Sequence, residues 1–253
     1  MPSLLYNAET WTNIDPDTEN VLEKLQNAMF RALFAVPKST PKPILRSDLG
    51  NLTVRENIHV KKLTFIHHLK NLKPESLGAE IYDLQVKHGL PGLVNECREL
   101  LKLYRLPDII DSKYKVSKNC WKNIVKKAVI EKSFKTIRKE CMTSSKLKNL
   151  SFEPNEKLEV KDYVKKMSLV NARTFFRIRS QMVDVKMNQK SSNKHSSDLW
   201  KCDFCFSIDS QSHIMWCPAF SSLREGKNLQ NDLDVVTYFQ DVLRIRSKES
   251  EYV

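Results

Sequence analysis

Apolar residues recur at helical spacing along most of this chain. Val21, Leu22, Leu25, Met29, Ala32 and Leu33 fit one side of a 3.6-residue repeat. They predict a helix that starts at Asp17 or Thr18, after the Asp15-Pro16 turn, and runs to about Val36, where Pro37 ends it. A Pro/Thr/Lys loop follows over Lys38 to Pro43, then a short element from Ile44 that closes on Gly50. A second long helix opens near Thr53, with Val54, Ile58, Leu63, Phe65, Ile66 and Leu69 as its apolar face. His67 and His68 lie on it with no acidic or cysteine partner one turn away, so they read as ordinary surface histidines. Further helices are predicted over about 79–87 and 93–103, separated by His88-Gly89-Leu90-Pro91-Gly92.

Past a boundary at Leu106 to Ser112, the residues from Ser117 to about Cys141 form an amphipathic basic helix. Trp121, Ile124, Val125 and Ala128 lie on one side, continued by Phe134, Ile137 and Cys141. Thr143 to Glu156 is polar and loop-like. Val160 to Val185 holds one or two helices that bury Leu169, Ala172, Phe175, Phe176 and Met182, and Asn188 to Ser197 is a polar linker. A helical turn at Phe220 to Arg224 and a last helix over Asp232 to Arg246, facing inward with Leu233, Val236, Phe239 and Leu243, complete the pattern. With only 5 glycines the chain is not a turn-rich β protein. The predicted class is mostly α, in four segments: a helical domain over 1–110, a basic helical region over 111–195, a small Cys/His unit over 196–225, and a C-terminal helix and tail over 226–253.

Charge sharpens this picture. The chain of 253 residues carries a net +12. From Lys113 to Lys148 there are twelve Lys/Arg against Glu131 and Glu140, a balance of +10. Localised positive charge of this size suits a polyanion, most commonly nucleic acid. A solvated helix face with no ligand is the competing reading. Lys118, Lys122 and Lys126 repeat every four residues, followed by Lys132, Lys135 and Lys139, with Lys127 beside them. Arg173 and Arg177 share a face one turn apart, and Arg179 and Lys186 add charge nearby. No run of about 18 apolar residues exists to span a membrane, and the first residues lack the pattern of a signal peptide.

The chemistry concentrates in Cys202-x2-Cys205-x7-His213-x3-Cys217. Three thiolates and one imidazole fill a tetrahedral zinc shell and leave no open position for a catalytic water. Buried or disulfide-bonded cysteines are the alternative; a redox pair would not call for His213 and Cys217. Lys201 would offset the excess negative charge. Phe204, Phe206, Ile214 and Trp216 are too few to make a core, so the metal is expected to supply most of the unit's folding free energy. Trp200, Phe204 or Trp216 could stack on unpaired bases. No adjacent aspartates, no Gly-rich phosphate loop and no nucleophile elbow occur, so no catalytic residue and no small-molecule substrate are expected.

The order of these features resembles the C-terminal third of polyproteins from non-LTR (LINE-type) retrotransposons. Leu5-Tyr6-Asn7-Ala8-Glu9-Thr10-Trp11 is similar to the Tyr-Gly-x-Glu-x-Trp segment after the palm of those reverse transcriptases, with Asn7 where Gly is usual. Leu25-Gln26, Phe30-Arg31, Val36-Pro37, Thr40 and Leu49-Gly50 resemble the thumb that follows. Phe176 to Met182 and then Lys186-Met187-Asn188 resemble the lead into the terminal CCHC knuckle, which Cys202, Cys205, His213, Cys217 and Pro218 match ligand by ligand; Asp209-Ser210 stands where Glu-Thr is frequent. The resemblance implies a thumb-like grip on element RNA and target DNA without palm or endonuclease, in a nuclear or cytoplasmic protein. It also implies a truncated copy or a 3′-end fragment. The expected nucleic-acid contacts are Lys118, Lys122, Lys126, Lys127, Lys135, Lys139, Arg173, Arg177, Arg179, Lys186, Trp200 and Lys201. A zinc-stapled protein-interaction module is the alternative, and it would show an exposed apolar patch beside the knuckle.

Overall fold

The computed structural model describes residues 5–111, 115–147, 150, 152, 156–188 and 200–250, with the side chains of 187 and 248–250 left aside. Leu4, Lys113, Lys148 and most of the expected polar linker lie outside the described residues. The protein is mostly helical. Its α-helices are α1 (Pro16–Phe34), α2 (Lys42–Asp48), α3 (Val54–Lys70), α4 (Leu77–His88), α5 (Leu93–Leu103), α6 (Lys118–Thr143), α7 (Asp162–Lys166), α8 (Leu169–Arg179), α9 (Gln211–Trp216), α10 (Ser221–Arg224) and α11 (Asp232–Ser250).

Local chemistry fixes several starts. The Asp15 carboxylate accepts from Thr18 N at 2.8 Å ahead of α1, where Pro16 sits at the first position. Thr53 and Glu56 close a capping box on α3, and Ser117 and Ser168 cap α6 and α8. Gly50, after α2, adopts φ +60, and a Cβ there would stand 2.5 Å from the Val160 nitrogen. Only glycine lets this turn approach the 159–160 backbone, where Leu49 and Val160 form a bridge.

Four apolar clusters occur among the described residues, the smallest of them Leu5, Ala8, Val54 and Ile58; the other three set the architecture. The first joins α3, α4 and α5 to the front half of α6 through Leu63, Ile66, Val94, Leu101, Trp121, Val125 and Val129. The second joins α1, α2, α7 and α8 to the rear half of α6 through Phe34, Ile44, Leu45, Ile137, Cys141, Tyr163 and Phe176. Phe34 stacks on Phe176 with centroids 3.9 Å apart. The third gathers the Cys/His segment onto α11, and α8 packs against α11 to join it to the rest. Helix α6, 26 residues and so about 39 Å long, is thus the spine shared by two clusters. Its buried residues are Trp121, Val125, Val129, Ser133, Phe134, Ile137 and Cys141; the sequence pattern places five of them on the apolar side, whereas Ile124 and Ala128, also expected there, are only half-buried and Val129 and Ser133 take the inner positions.

Three predicted faces are corrected. On α8, Leu169 is 52% exposed, and Ala172 and Phe176 are the buried residues. On α1, Val21, Leu25, Met29 and Leu33 are exposed, at 61%, 45%, 49% and 43%, whereas Gln26 and Asn27 are buried. The polar side turns inward because α3 begins beneath it. Gln26 Nε2 donates to Leu52 O, and Glu23 Oε1 accepts from Val54 N at 2.6 Å. On α11, Val236, Tyr238, Phe239 and Val242 are the fully buried residues, and Leu233 is exposed. His67 is not a surface histidine either: it is buried, its Nε2 lies 2.9 Å from Val116 O, and its ring stacks beside Trp121.

Candidate metal centre and basic face

The Cys/His segment is organised by a tight hairpin. Lys201 and Ile208 form an antiparallel bridge, Cys202 N donates to Ser207 O at 2.7 Å, and Asp209 N donates to Trp200 O at 2.7 Å. Phe206 N donates back to Cys202 O at 2.9 Å, and the turn closes because Phe206 takes a left-handed φ of 61. This brings Cys202 and Cys205 side by side. Ser210 caps α9, its hydroxyl accepting from His213 N at 3.1 Å, and so aims the imidazole back at the hairpin. Cys217 follows the last turn of α9, and its carbonyl accepts from the Arg224 guanidinium at 2.9 Å.

The ligand atoms of Cys202, Cys205, His213 and Cys217 all lie within 4.8 Å of one another. Cys205 Sγ is 3.1 Å from His213 Nε2 and 3.6 Å from Cys217 Sγ. All six cysteines are free thiols. This group could hold one metal ion. Burial pushes the Cys217 thiol up to about 11. Burial acts the same way on Cys205, but hydrogen bonds from Ser207, Cys217 and Cys202 outweigh it and lower its pKa. A bound dication would displace these protons, as metal binding by thiols generally does.

The unit does not stand alone: its few apolar residues, too few for a core of their own, are completed by packing on α11, so the metal is not the only support of the segment. Phe206 and Trp216 are 74% and 70% exposed. Ile214, Cys217 and Phe220 instead pack on Tyr238, Phe239 and Val242 of α11 and on Val183 and Val185. Phe204 is half-buried and meets Phe220 edge-on with centroids 4.9 Å apart. Tyr238 donates its hydroxyl to Ile214 O at 2.6 Å. Asp209, with no exposure, accepts from Arg246 at 2.8 and 2.5 Å and from Lys186 N at 2.7 Å. Burial opposes the charge on Asp209, yet the bonds from Arg246 and Lys186 hold its pKa below the ordinary value. Asp209, Arg224, Tyr238 and Arg246 were not marked in the sequence as supports of the site. The signal that could have found them is Asp209-Ser210 itself, one residue tying down α11 and the next capping the histidine helix.

Phe206 keeps an aromatic ring where the backbone favours glycine. A left-handed φ costs a non-glycine residue about 1–2 kcal/mol, and glycine returns part of that gain as unfolded-state entropy. Phe206→Gly is therefore expected to raise stability by about 0.5–1 kcal/mol, read as an upward shift of the melting temperature of the metal-loaded protein. A fall would mean that the ring packs in the folded state.

On α6, Lys118, Lys122, Lys126, Lys127, Lys135 and Lys139 are all exposed. Among the described residues none of the six is in an ion pair. They fall on both sides of the helix: Lys118, Lys122 and Lys126 line one cleft, and Lys127 and Lys135 another with Arg105 and Lys132. The structure does not gather the expected arginines with them. Arg173 Nε donates to Leu33 O at 2.8 Å and Arg177 to Ala35 O at 2.7 Å, so both cap the end of α1. Arg179 is bound to the buried Asp48 at 2.9 Å. Lys186 pairs with Asp203, Lys201 sits half-buried in the hairpin, and Trp200 is 43% exposed.

Fold and site together define a helical protein with a Cys3His group able to hold one metal ion. Among the described residues, no helix is long and apolar enough to cross a membrane. Compared with protein-family models, curated proteins and solved structures, the chain finds no match.

Proposed function

We propose that this protein is a zinc-stabilised, non-catalytic nucleic-acid-binding module of the kind the non-LTR retrotransposon resemblance implies, gripping RNA or DNA through the lysines of α6. The observation that carries this reading is the set of six exposed lysines, without carboxylate partners among the described residues, on the two flanks of the buried stripe of α6. A rigid helix holding cations at repeating intervals suits a phosphate backbone, and binding gains from released counterions. Zinc is favoured by the donor set. A tetrahedral zinc with Zn–S near 2.3 Å and Zn–N near 2.0 Å would space its ligand atoms by roughly 3.5–3.8 Å. The 3.6 Å between Cys205 and Cys217 Sγ fits, and the 3.1 Å from Cys205 to His213 needs only a small spread.

Binding of single-stranded RNA and duplex DNA across a salt series tests the reading. Tight binding at low salt is expected, with log K falling linearly in log salt. Lys118→Ala/Lys122→Ala/Lys126→Ala is expected to reduce that slope by about 2, since each phosphate contact contributes about 0.7–0.9. Salt-independent affinity, or none, would overturn it.

A second reading has its own support. Phe206, Ile208 and Trp216 are 74%, 63% and 70% exposed beside the Cys/His group. An apolar patch there is what a protein-interaction module would present. That module would hold its partner at high salt and after nuclease treatment.

A further inference from the structure

A cleft of about 610 Å³ lies between α3 and the front of α6, within the size range of small-molecule sites. Three kinds of group converge on it. Lys118, Lys122 and Lys126 form one wall, all exposed and without a carboxylate partner among the described residues. Phe65 and His68, with ring centroids 6.0 Å apart, and Val60 supply an aromatic and apolar wall. Asn51 and Asn57 add side-chain amides to the lining. Their Nδ2 groups donate to backbone carbonyls, Asn51 to Leu49 O at 2.9 Å and Asn57 to Thr53 O at 2.9 Å. This leaves each amide Oδ1 as an acceptor. Lys61 and Glu9, paired at 3.3 Å, also line the cleft, so its single carboxylate is already neutralised.

An anion alone would need the lysines but neither the rings nor the amides. A neutral apolar ligand would leave three cations unanswered. We infer that the cleft takes an unpaired nucleotide of a nucleic-acid strand, with its base against Phe65 and His68, base-edge amino or imino groups donating to Asn51 and Asn57, and flanking phosphates on Lys118, Lys122 and Lys126. The inference rests on the nucleic-acid reading above and sharpens it, because a duplex cannot place a base in a cleft without unpairing it. Base stacking on an aromatic ring tolerates any sequence, whereas the amide acceptors favour bases that offer a donor edge.

The test uses the full, metal-loaded chain and a single-stranded oligonucleotide carrying 4-thiouridine, photo-crosslinked and mapped by mass spectrometry. Crosslinks are expected in peptides from 57–68 and 118–126. Phe65→Leu keeps an apolar side chain and removes the stacking face. It is expected to weaken single-strand binding about tenfold, the order of one base–aromatic stack, and to leave duplex binding unchanged. The lysine triple variant, altered only at exposed positions, is expected to weaken both. If the oligonucleotide binds but crosslinks only within 200–217, and Phe65→Leu binds like the parent, the cleft is not the nucleotide site while the nucleic-acid reading stands. If neither single strand nor duplex binds the parent protein at low salt, that reading fails and the cleft inference fails with it.

Discussion

Asp48→Ala is expected to destabilise the protein by about 3–5 kcal/mol, the usual cost of leaving a buried charge without its partner. Asp48 has no exposure and sits at the end of α2. Its carboxylate accepts from Arg179 Nε at 2.9 Å and from the Tyr163 hydroxyl at 2.8 Å, and its carbonyl accepts from Lys161 N at 3.0 Å. One side chain thus ties α2, α7 and α8 together inside the second apolar cluster. Burial, reinforced by the Asp48 charge, holds the Tyr163 phenol far above its ordinary range, so Tyr163 stays a neutral donor. Burial works against the Arg179 charge, yet Asp48 more than offsets it and raises its pKa. Alanine would strand that guanidinium in a site where water reaches only part of it. Asp48→Asn keeps an acceptor for Tyr163 and should cost less. Denaturant melts of Asp48→Ala, Arg179→Ala and the double variant would give the coupling directly. Additive losses would mean that the pair carries no energy of its own and that Arg179 is free to meet a ligand, as the sequence suggests.

Asp48 shows why part of this structure was closed to sequence reading. Its partners Tyr163 and Arg179 lie 115 and 131 residues away, and no local pattern points to them. Arg179 looked like a phosphate contact because charge on a helix reads as surface until a buried acid is found opposite. Arg173 and Arg177 likewise have partners that no local pattern gives: the carbonyls of Leu33 and Ala35 at the end of a helix some 140 residues earlier. Where the signal was local it was legible. The apolar side read from Trp121, Ile124, Val125, Ala128, Phe134, Ile137 and Cys141 gave α6 and most of its buried side, with Trp121, Val125, Phe134, Ile137 and Cys141 buried, and the ligand spacing brought together Cys202, Cys205, His213 and Cys217. Periodicity failed on α1 because it reports an apolar stripe but not what lies opposite. Val21, Leu25, Met29 and Leu33 make a regular stripe that nothing among the described residues covers, while Gln26 and Asn27 are held inside by contacts to α3 and within α1.

Removing the metal is expected to unfold the segment from Trp200 to about Arg224 and to loosen α11, while the α1–α8 body keeps its helices. The size of the effect follows from what remains when the ion is gone. Three thiols and an imidazole held within 4.8 Å lose their common partner, and the hairpin around them has one bridge and a strained turn at Phe206. Structural zinc supplies about 10–16 kcal/mol of apparent folding free energy in isolated finger peptides. Here Ile214, Phe220, Tyr238, Phe239 and Val242 pack together, and Asp209 holds Arg246, so part of the unit is supported without metal. The expected loss is therefore smaller, about 5 kcal/mol, yet enough to separate two thermal transitions. Chelation should turn one cooperative melt into two, the lower one absent from the zinc-loaded protein. Cys202→Ser should reproduce this even with zinc added, whereas Cys120→Ser, at an exposed thiol outside the group, should not. Metal-free protein that melts in one step at the loaded temperature would show that packing on α11 alone closes the site. The four ligands would then hold an exchangeable ion on a preformed surface rather than build that surface.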